Sequence, residues 1–374
     1  MARVARPPLR EPPDELTGEP LPAPLSWALV AFTIECDNAA EARLAHRTTA
    51  RGPSSGGRGP WLVSTAMWFT CMRYVDAGGI TLGELIRHVR TPTNLDGMRR
   101  WGYITVAATG RRPRPGDLLT ATPAGLRAAD VWAALLPEVE QRWRERFGAA
   151  AVDRLRAALA AVVADLDPRL PDCLPILGHG LFSRLVTDVD LIPDPGDPSA
   201  LPLPVLLART LLAFAVDYET GARLSLAIAS DVLPALSADG GRVRDLPAAT
   251  GVSKEAIAMA TRLLAKAGLV ELVTAPGARE RMIRLTEAGE SAQTRTRARI
   301  ARIAARWGDR FGAARVAELN GALAPVVGDG TAAGSPLFAG LDPPPGGWRS
   351  ELRRPLTLPR FPMVSHRGGF PDGS

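Results

Sequence analysis

Cysteine is scarce in this 374-residue chain, occurring only at Cys36, Cys71 and Cys173. The three are far apart and odd in number, which argues against a disulfide framework and suits a reducing, cytoplasmic setting. Lysine is scarcer still. Lys254 and Lys266 are the only two, so the 45 basic residues set against 39 acidic ones are nearly all arginine. Arginine prefers bidentate work on carboxylate or phosphate, yet a GC-rich coding bias gives the same usage, and a formal charge of +6 is modest for this length. Histidine occurs at His46, His88, His179 and His366 without ligand spacing to one another or to the cysteines, so neither a metal site nor a cofactor is expected. A redox thiol at Cys173, near His179, is the lesser alternative to a buried structural cysteine.

The motifs of common enzymes are missing too. No P-loop or dinucleotide fingerprint is present. GPSSG at 52–56 fits the letters of a nucleophile elbow but sits in a flexible link, without the strand before it and helix after it that the chemistry needs. No catalytic residue is therefore assigned, and the chain is not expected to be an enzyme. Long uncharged apolar runs are also lacking. The longest, LPLPVLLARTLLAFAV, has Arg209 in its middle and two prolines at its start, which makes it a core helix and not a membrane span. The opening MARVARPPLREPPDEL has no apolar segment of the signal-peptide kind. Residues 1–23, Pro-rich and charged, are expected to be disordered.

What is present is a repeat. Residues 142–163 read RWRERFGAAAVDRLRAALAAVV and residues 306–327 read RWGDRFGAARVAELNGALAPVV, 164 positions later (Arg142 to Arg306). Thr122 and Gly125 fall on Thr286 and Gly289 at the same offset, and Leu136, Val139, Trp143 and Phe147 fall on Ile300, Ile303, Trp307 and Phe311. A period of this length is that of a domain, not of a solenoid. The repeat reaches back to LVAFTIECD and LLAFAVDYE, pairing Phe32 with Phe214 and Glu35 with Asp217.

Along the chain, 25–47 reads as a helix, followed by the link TTARGPSSGGRGP, a helix over 61–75, and a short helix in ITLGELIRHVR. TPTNLDGMRRWGYITV reads as a third helix that runs into a strand. In the second copy, Ser253 is a good N-cap for the Ala/Leu-rich run up to Gly268, and TAPGARE turns one strand into the next through Pro276-Gly277. The expected fold is mainly α with small two-stranded wings: tandem winged helix-turn-helix domains related by a pseudo-two-fold through long N- and C-terminal helices. The divisions are 24–163 (first domain, degenerate), 164–203 (a Pro/Gly/Asp-rich link), 204–328 (second domain) and 329–374 (an extended Pro/Gly-rich tail, whose FPMVSHRGGFPDGS holds enough Phe, Met and Val to be expected to pack back on the body, disorder being the alternative).

With RDLPAATGVSKEAIAMATRLLAKAGLVELV followed by IRLTEAG, the second copy resembles the MarR family of bacterial transcriptional regulators. The resemblance spans about 200–327 and, more weakly, about 25–163. It implies a winged helix-turn-helix flanked by helices that build a two-fold dimer, here fused in one chain as in the long tandem regulators of high-GC actinobacteria. The implied partners are double-stranded DNA and a small-molecule effector. Two departures stand out. The wing segment TAPGARERMIRLT lacks the family's Asp-x-Arg pair. The first copy spans only nine residues from Thr93 to Gly102, against fifteen from Ser253 to Gly268, which shortens its recognition helix by roughly 9 Å.

A helix-turn-helix presents the start of its recognition helix to base edges. In the second copy these residues are Ser253, Lys254, Glu255 and Ala258, with Arg262 and Lys266 suited to phosphate and Arg279 and Arg281 on the wing. In the first copy Thr93 and Asn94 could reach bases, while Arg99, Arg100, Arg111, Arg112 and Arg114 serve the backbone or a minor groove. Leu136, Val139, Trp143, Phe147, Ile300, Ile303, Trp307 and Phe311 read first as core at the interface between copies, and alternatively as the lining of a ligand cavity there. Arg295, Arg299, Arg302, Arg306 and Arg310 read as a solvated face partly paired with acids of the other copy, in preference to a phosphate track. The rival to DNA binding is a scaffold that has lost DNA and serves protein interaction or small-molecule sensing, which fold alone does not exclude.

Overall fold

The computed structural model describes residues 20–44, 64–89, 95–107, 113–172, 191–193, 196–274, 281–351 and 354–362. The first half runs α1 (Ala23–Arg43), α2 (Thr65–Thr70), β1 (Ile80–Thr81), α3 (Leu82–Val89), α4 (Leu95–Arg100), β2 (Ile104–Ala107), β3 (Leu118–Ala121), α5 (Pro123–Phe147) and α6 (Ala149–Val163). The second half runs α7 (Leu203–Glu219), a π-helical turn at Ile228–Val232, β4 (Gly241–Arg242), α8 (Leu246–Thr250), α9 (Lys254–Lys266), β5 (Val270–Thr274), β6 (Arg281–Leu285), α10 (Glu287–Phe311) and α11 (Ala313–Val327). The architecture is mainly helical, with two small antiparallel sheets of strand order β1-β3-β2 and β4-β6-β5.

Each sheet therefore has three strands where the sequence predicts a two-stranded wing. The extra strands, β1 and β4, are two residues long and too short to show alternation. They are fixed by pairing Ile80 with Leu119 and Gly241 with Ile283. The helix expected over 61–75 is shorter as well. Within the described residues it is α2, capped by Ser64, and a separate 3-10 turn at Met72–Tyr74.

The Thr-x-x-G repeat has a direct structural cause. Thr122 Oγ1 accepts a hydrogen bond from the Gly125 amide (3.0 Å) and donates one to the Gly102 carbonyl (2.6 Å). Thr286 does the same with the Gly289 amide (3.1 Å) and the Gly268 carbonyl (2.8 Å). Each threonine thus caps a long helix and ties it to the corner before the sheet. A Cβ at Gly125 would collide with the Tyr103 carbonyl, and one at Gly289 with the Leu269 carbonyl.

The core is organised around α1 and α7. Both are apolar round most of their circumference, which puts a helix in the interior. Every residue is buried from Ala23 to Asn38 in α1 and from Leu203 to Ala215 in α7. The two pack on each other; α1 also packs on α5 and α11, and α7 on α10 and α6. Each central helix thus touches the long helix of its own half and the last helix of the other. Arg154 pairs with Glu318 (2.6 and 2.9 Å), and Arg315 pairs with Asp165, to join α6 and α11 at the surface.

The tail is not simply extended. Beyond α11 it winds through 3-10 turns at Pro336–Gly340 and Trp348–Glu351, and it buries Leu337, Phe338, Leu341, Leu358 and Phe361. Of the link, Asp172 is buried with Arg209 (2.9 Å to Nε) and also takes Arg73 (2.8 Å). Leu21, assigned to a disordered leader, is buried too.

Candidate nucleic-acid interface

Gly251, in the left-handed region, ends α8, and Ser253 opens α9 by accepting from the Ala256 amide (3.3 Å). Ala256, Ile257, Ala260, Thr261 and Leu264 face inward at helical spacing. The opposite face holds Lys254, Glu255, Ala258, Arg262 and Lys266, all exposed, while Ser253 is half-buried. Lys254, Ala258, Arg262 and Lys266 stand four residues apart in one row, and the same side of successive turns forms a single ridge. Salt bridges occur throughout the chain, yet none among the described residues involves the three cations of this row. They remain available to an anion.

Beside α9, β5 and β6 pair from Val270 opposite Leu285 to Thr274 opposite Arg281. The cross-strand partners Glu271 and Arg284 neutralise each other (2.5 Å). Arg281 is exposed at the far end of the ladder; Arg279 lies outside the described residues.

The equivalent segment of the first half is a much smaller platform. With six residues, α4 spends Gly97 and Met98 on the interior. Of its two arginines, Arg99 lies 3.7 Å from Asp96, and Arg100 donates through Nε to the Asp96 carbonyl (3.3 Å). Both are exposed, but both are held by their own helix. Arg114 is exposed at the edge of the sheet, where its amide donates to Asp117 Oδ2 (2.8 Å). Thr93, Asn94, Arg111 and Arg112 lie outside the described residues.

The eight residues assigned to the interface or a ligand cavity are packing residues. Leu136, Val139, Trp143, Ile303, Trp307 and Phe311 are buried; Phe147 and Ile300 are partly so. Trp143 stands edge-on to Phe32 and Phe147 (5.4 and 5.3 Å), and Trp307 to Phe214 and Phe311 (5.3 and 5.1 Å). Sequence reasoning overlooked the polar half of this arrangement. Trp143 Nε1 donates to Glu35 (2.9 Å) and Trp307 Nε1 to Asp217 (2.8 Å). The signal was there in the matched positions of Glu35 and Asp217, because a buried indole N–H needs an acceptor. Two cavities stand out. One of about 470 Å³ lies between α5 and the 200–202 segment, and one of about 230 Å³ is lined by Arg73, Tyr74, His88, Asp172 and Arg209. Of the eight, only Leu136 lines either.

The α10 arginines lie on a largely exposed face, and where they are held the partners are backbone and not the expected acids. Arg299 binds the carbonyls of Tyr218 and Thr220 (2.8 and 2.5 Å), and Arg310 that of Asp165 (3.4 Å). Arg295, Arg302 and Arg306 are exposed.

No group of three metal-ligating side chains occurs among the described residues. Burial holds the imidazole of His88 below its usual value, and the ring is stacked on Tyr74 at 4.8 Å. Cys36 and Cys71 are buried free thiols; burial pushes Cys71 up to about 12. Cys173, His46, His179, His366 and the GPSSG segment lie outside the described residues. No described helix is long and apolar enough to cross a membrane. In comparisons with known protein families, curated proteins and solved structures, nothing matches this chain.

Proposed function

We propose that the protein is a DNA-binding transcriptional regulator of the MarR type, built as two winged helix-turn-helix units fused into an intramolecular pseudo-dimer. The observation that carries the reading is the α9 ridge, where Lys254, Arg262 and Lys266 lie exposed, with no ion pair among the described residues, on a thirteen-residue helix opened by Ser253 and flanked by a β-hairpin. The recurring element order, the paired threonine caps and the paired Trp–carboxylate bonds support the duplication. The partner is double-stranded DNA in the cytoplasm. The second unit reads bases, and the first anchors through Arg99, Arg100, Arg114 and the neighbouring Arg111 and Arg112. Unlike reading heads call for an asymmetric operator.

The rival reading, a scaffold that has lost DNA, draws support from the short α4 and from the Asp96 contacts of its arginines. A small-molecule effector draws support from the two cavities, the larger of which Leu136 lines, and not from the other seven residues whose alternative reading was a ligand cavity.

Fragments selected from the source genome provide the probe. Replacing Lys254 and Arg262 with Gln should abolish their gel shift while leaving the unfolding midpoint unchanged. For the unmodified protein, log affinity should fall linearly with log salt, and with a shallower slope once phosphate contacts are removed. An unchanged shift in the double variant takes α9 off the DNA.

A further inference from the structure

The tail after α11 makes contacts that the DNA-reading proposal does not use. Its last described stretch, 354–362, runs between two unlike surfaces. On one side is the central helix: Ser26 Oγ donates to the Pro359 carbonyl (2.7 Å) and Trp27 Nε1 to the Leu358 carbonyl (3.1 Å). On the other side is the second half. There the amides of Arg360 and Phe361 donate to the two oxygens of buried Asp231 (2.6 and 3.2 Å), in the π-helical turn between α7 and β4.

Between these anchors the tail backbone crosses Gly251, the turn residue that joins α8 to α9. A Cβ there would strike the Thr357 carbonyl and lie 3.0 Å from Pro359 N. Leu358 and Phe361 are 2% and 0% exposed, so the stretch is core, not decoration.

The tail is also braced against itself and along α1. Thr331 bridges Thr357, and Leu358 N donates to the Gly330 carbonyl (2.9 Å). Asn38 Nδ2 donates to the Leu341 carbonyl (3.0 Å), and Arg349 Nη1 donates to the Asp37 carbonyl (2.8 Å) and reaches Glu41 (3.4 Å).

We propose that the tail, in its described residues 328–351 and 354–362, is an intramolecular strap that docks on α1, on the Gly251 turn and on Asp231, and thereby fixes the α8–α9 unit on the body. Releasing the strap loosens that unit. Thr357 to Pro359 cover Gly251, and the amides of Arg360 and Phe361 hold Asp231, so displacing this one stretch uncovers both. The α8–α9 unit is the helix-turn-helix of the reading above, so the strap sets how firmly the recognition helix is presented.

The two glycines that bracket α9 provide the test. Gly251 and Gly268 have nearly the same backbone, φ 71° and 70°, but nothing lies within 4 Å of a Cβ at Gly268. Alanine at either site carries the same left-handed strain, and only Gly251→Ala collides with the strap. Hydrogen exchange read by mass spectrometry on the full chain, without DNA, should show peptides covering 354–362 exchanging at least about tenfold faster in Gly251→Ala than in Gly268→Ala. Peptides of α8 and the π-helical turn should follow them.

Equal tail exchange in the two variants overturns the proposal. So does a freed tail that leaves α8 and the π-helical turn as protected as before. If Gly251→Ala does not fold, Ser26→Ala combined with Asp231→Ala removes all but the Trp27 anchor on the body side and is judged by the same peptides. Because the readout needs no DNA, loss of the strap proposal and loss of the DNA-reading proposal are separable. Where both hold, the loosened variant also loses affinity for its selected DNA in proportion to the exchange.

Discussion

Asp37 shows how much a single residue can carry in this molecule. It is wholly buried on α1 and accepts from the Thr65 amide and hydroxyl (2.8 and 2.7 Å), with Arg349 at 3.5 Å and Glu41 nearby. Burial outweighs Arg349 and Thr65, so its carboxyl rises from 3.8 to about 6. A carboxyl raised on folding binds a proton more tightly in the native state. Its contribution is therefore complete below the unfolded value and is lost as pH rises through about 6. Stability from this residue should drop between pH 4 and pH 7.5, by up to roughly 3 kcal/mol if the whole shift is realised. Asp37→Asn should flatten that part of the profile, which urea titrations at the two pH values would measure. Equal slopes in both proteins would assign the pH dependence elsewhere. The neighbouring thiol of Cys36 is pushed well above its ordinary value by burial and by Asp37 and Glu35, so this acid-rich stretch of α1 is chemically quiet.

Among the elements, the long helices were the most legible in the sequence and the short ones the least. Thr122-x-x-Gly125 and Thr286-x-x-Gly289 announced α5 and α10, because the cap and the close approach to a carbonyl both dictate residue type. Gly125→Ala and Gly289→Ala should each cost about 1–3 kcal/mol or more, since the obstacle is backbone that cannot rotate away. Gly116→Ala, with open space around it, should fall within about 0.5 kcal/mol of the parent, and thermal melts of the three variants would check this. The relative lengths of α4 and α9, six and thirteen residues, were legible in the sequence. β1 and β4 were not, because two residues carry no period; only the pairing with β3 and β6 defines them. The apolar content of the tail hinted that it packs back on the body, but its partners Trp27 and Gly251 could not be read from the sequence. The candidate site was half legible: the outward row of α9 follows from helical spacing, whereas the Asp96 contacts of Arg99 and Arg100 depend on where α4 ends.

At the scale of the whole molecule, the two halves are not separable bodies joined by a tether. With α1 packed on α11 and α7 on α6, each half supplies a wall of the other's interior. A chain cut between Asp172 and Leu191 should therefore give two fragments that stay unfolded apart and recover helical circular dichroism when mixed. Independent, cooperative melting of either fragment would contradict that view.

The central position of α1 has a temporal side. It leaves the ribosome before α11 and before Leu358 and Pro359, which close part of its surface roughly three hundred residues further along the chain. Even after α5 and α7 have emerged, that apolar helix must wait for its remaining cover. Stalling synthesis before residue 328 should therefore leave that helix open to capture by a chaperone.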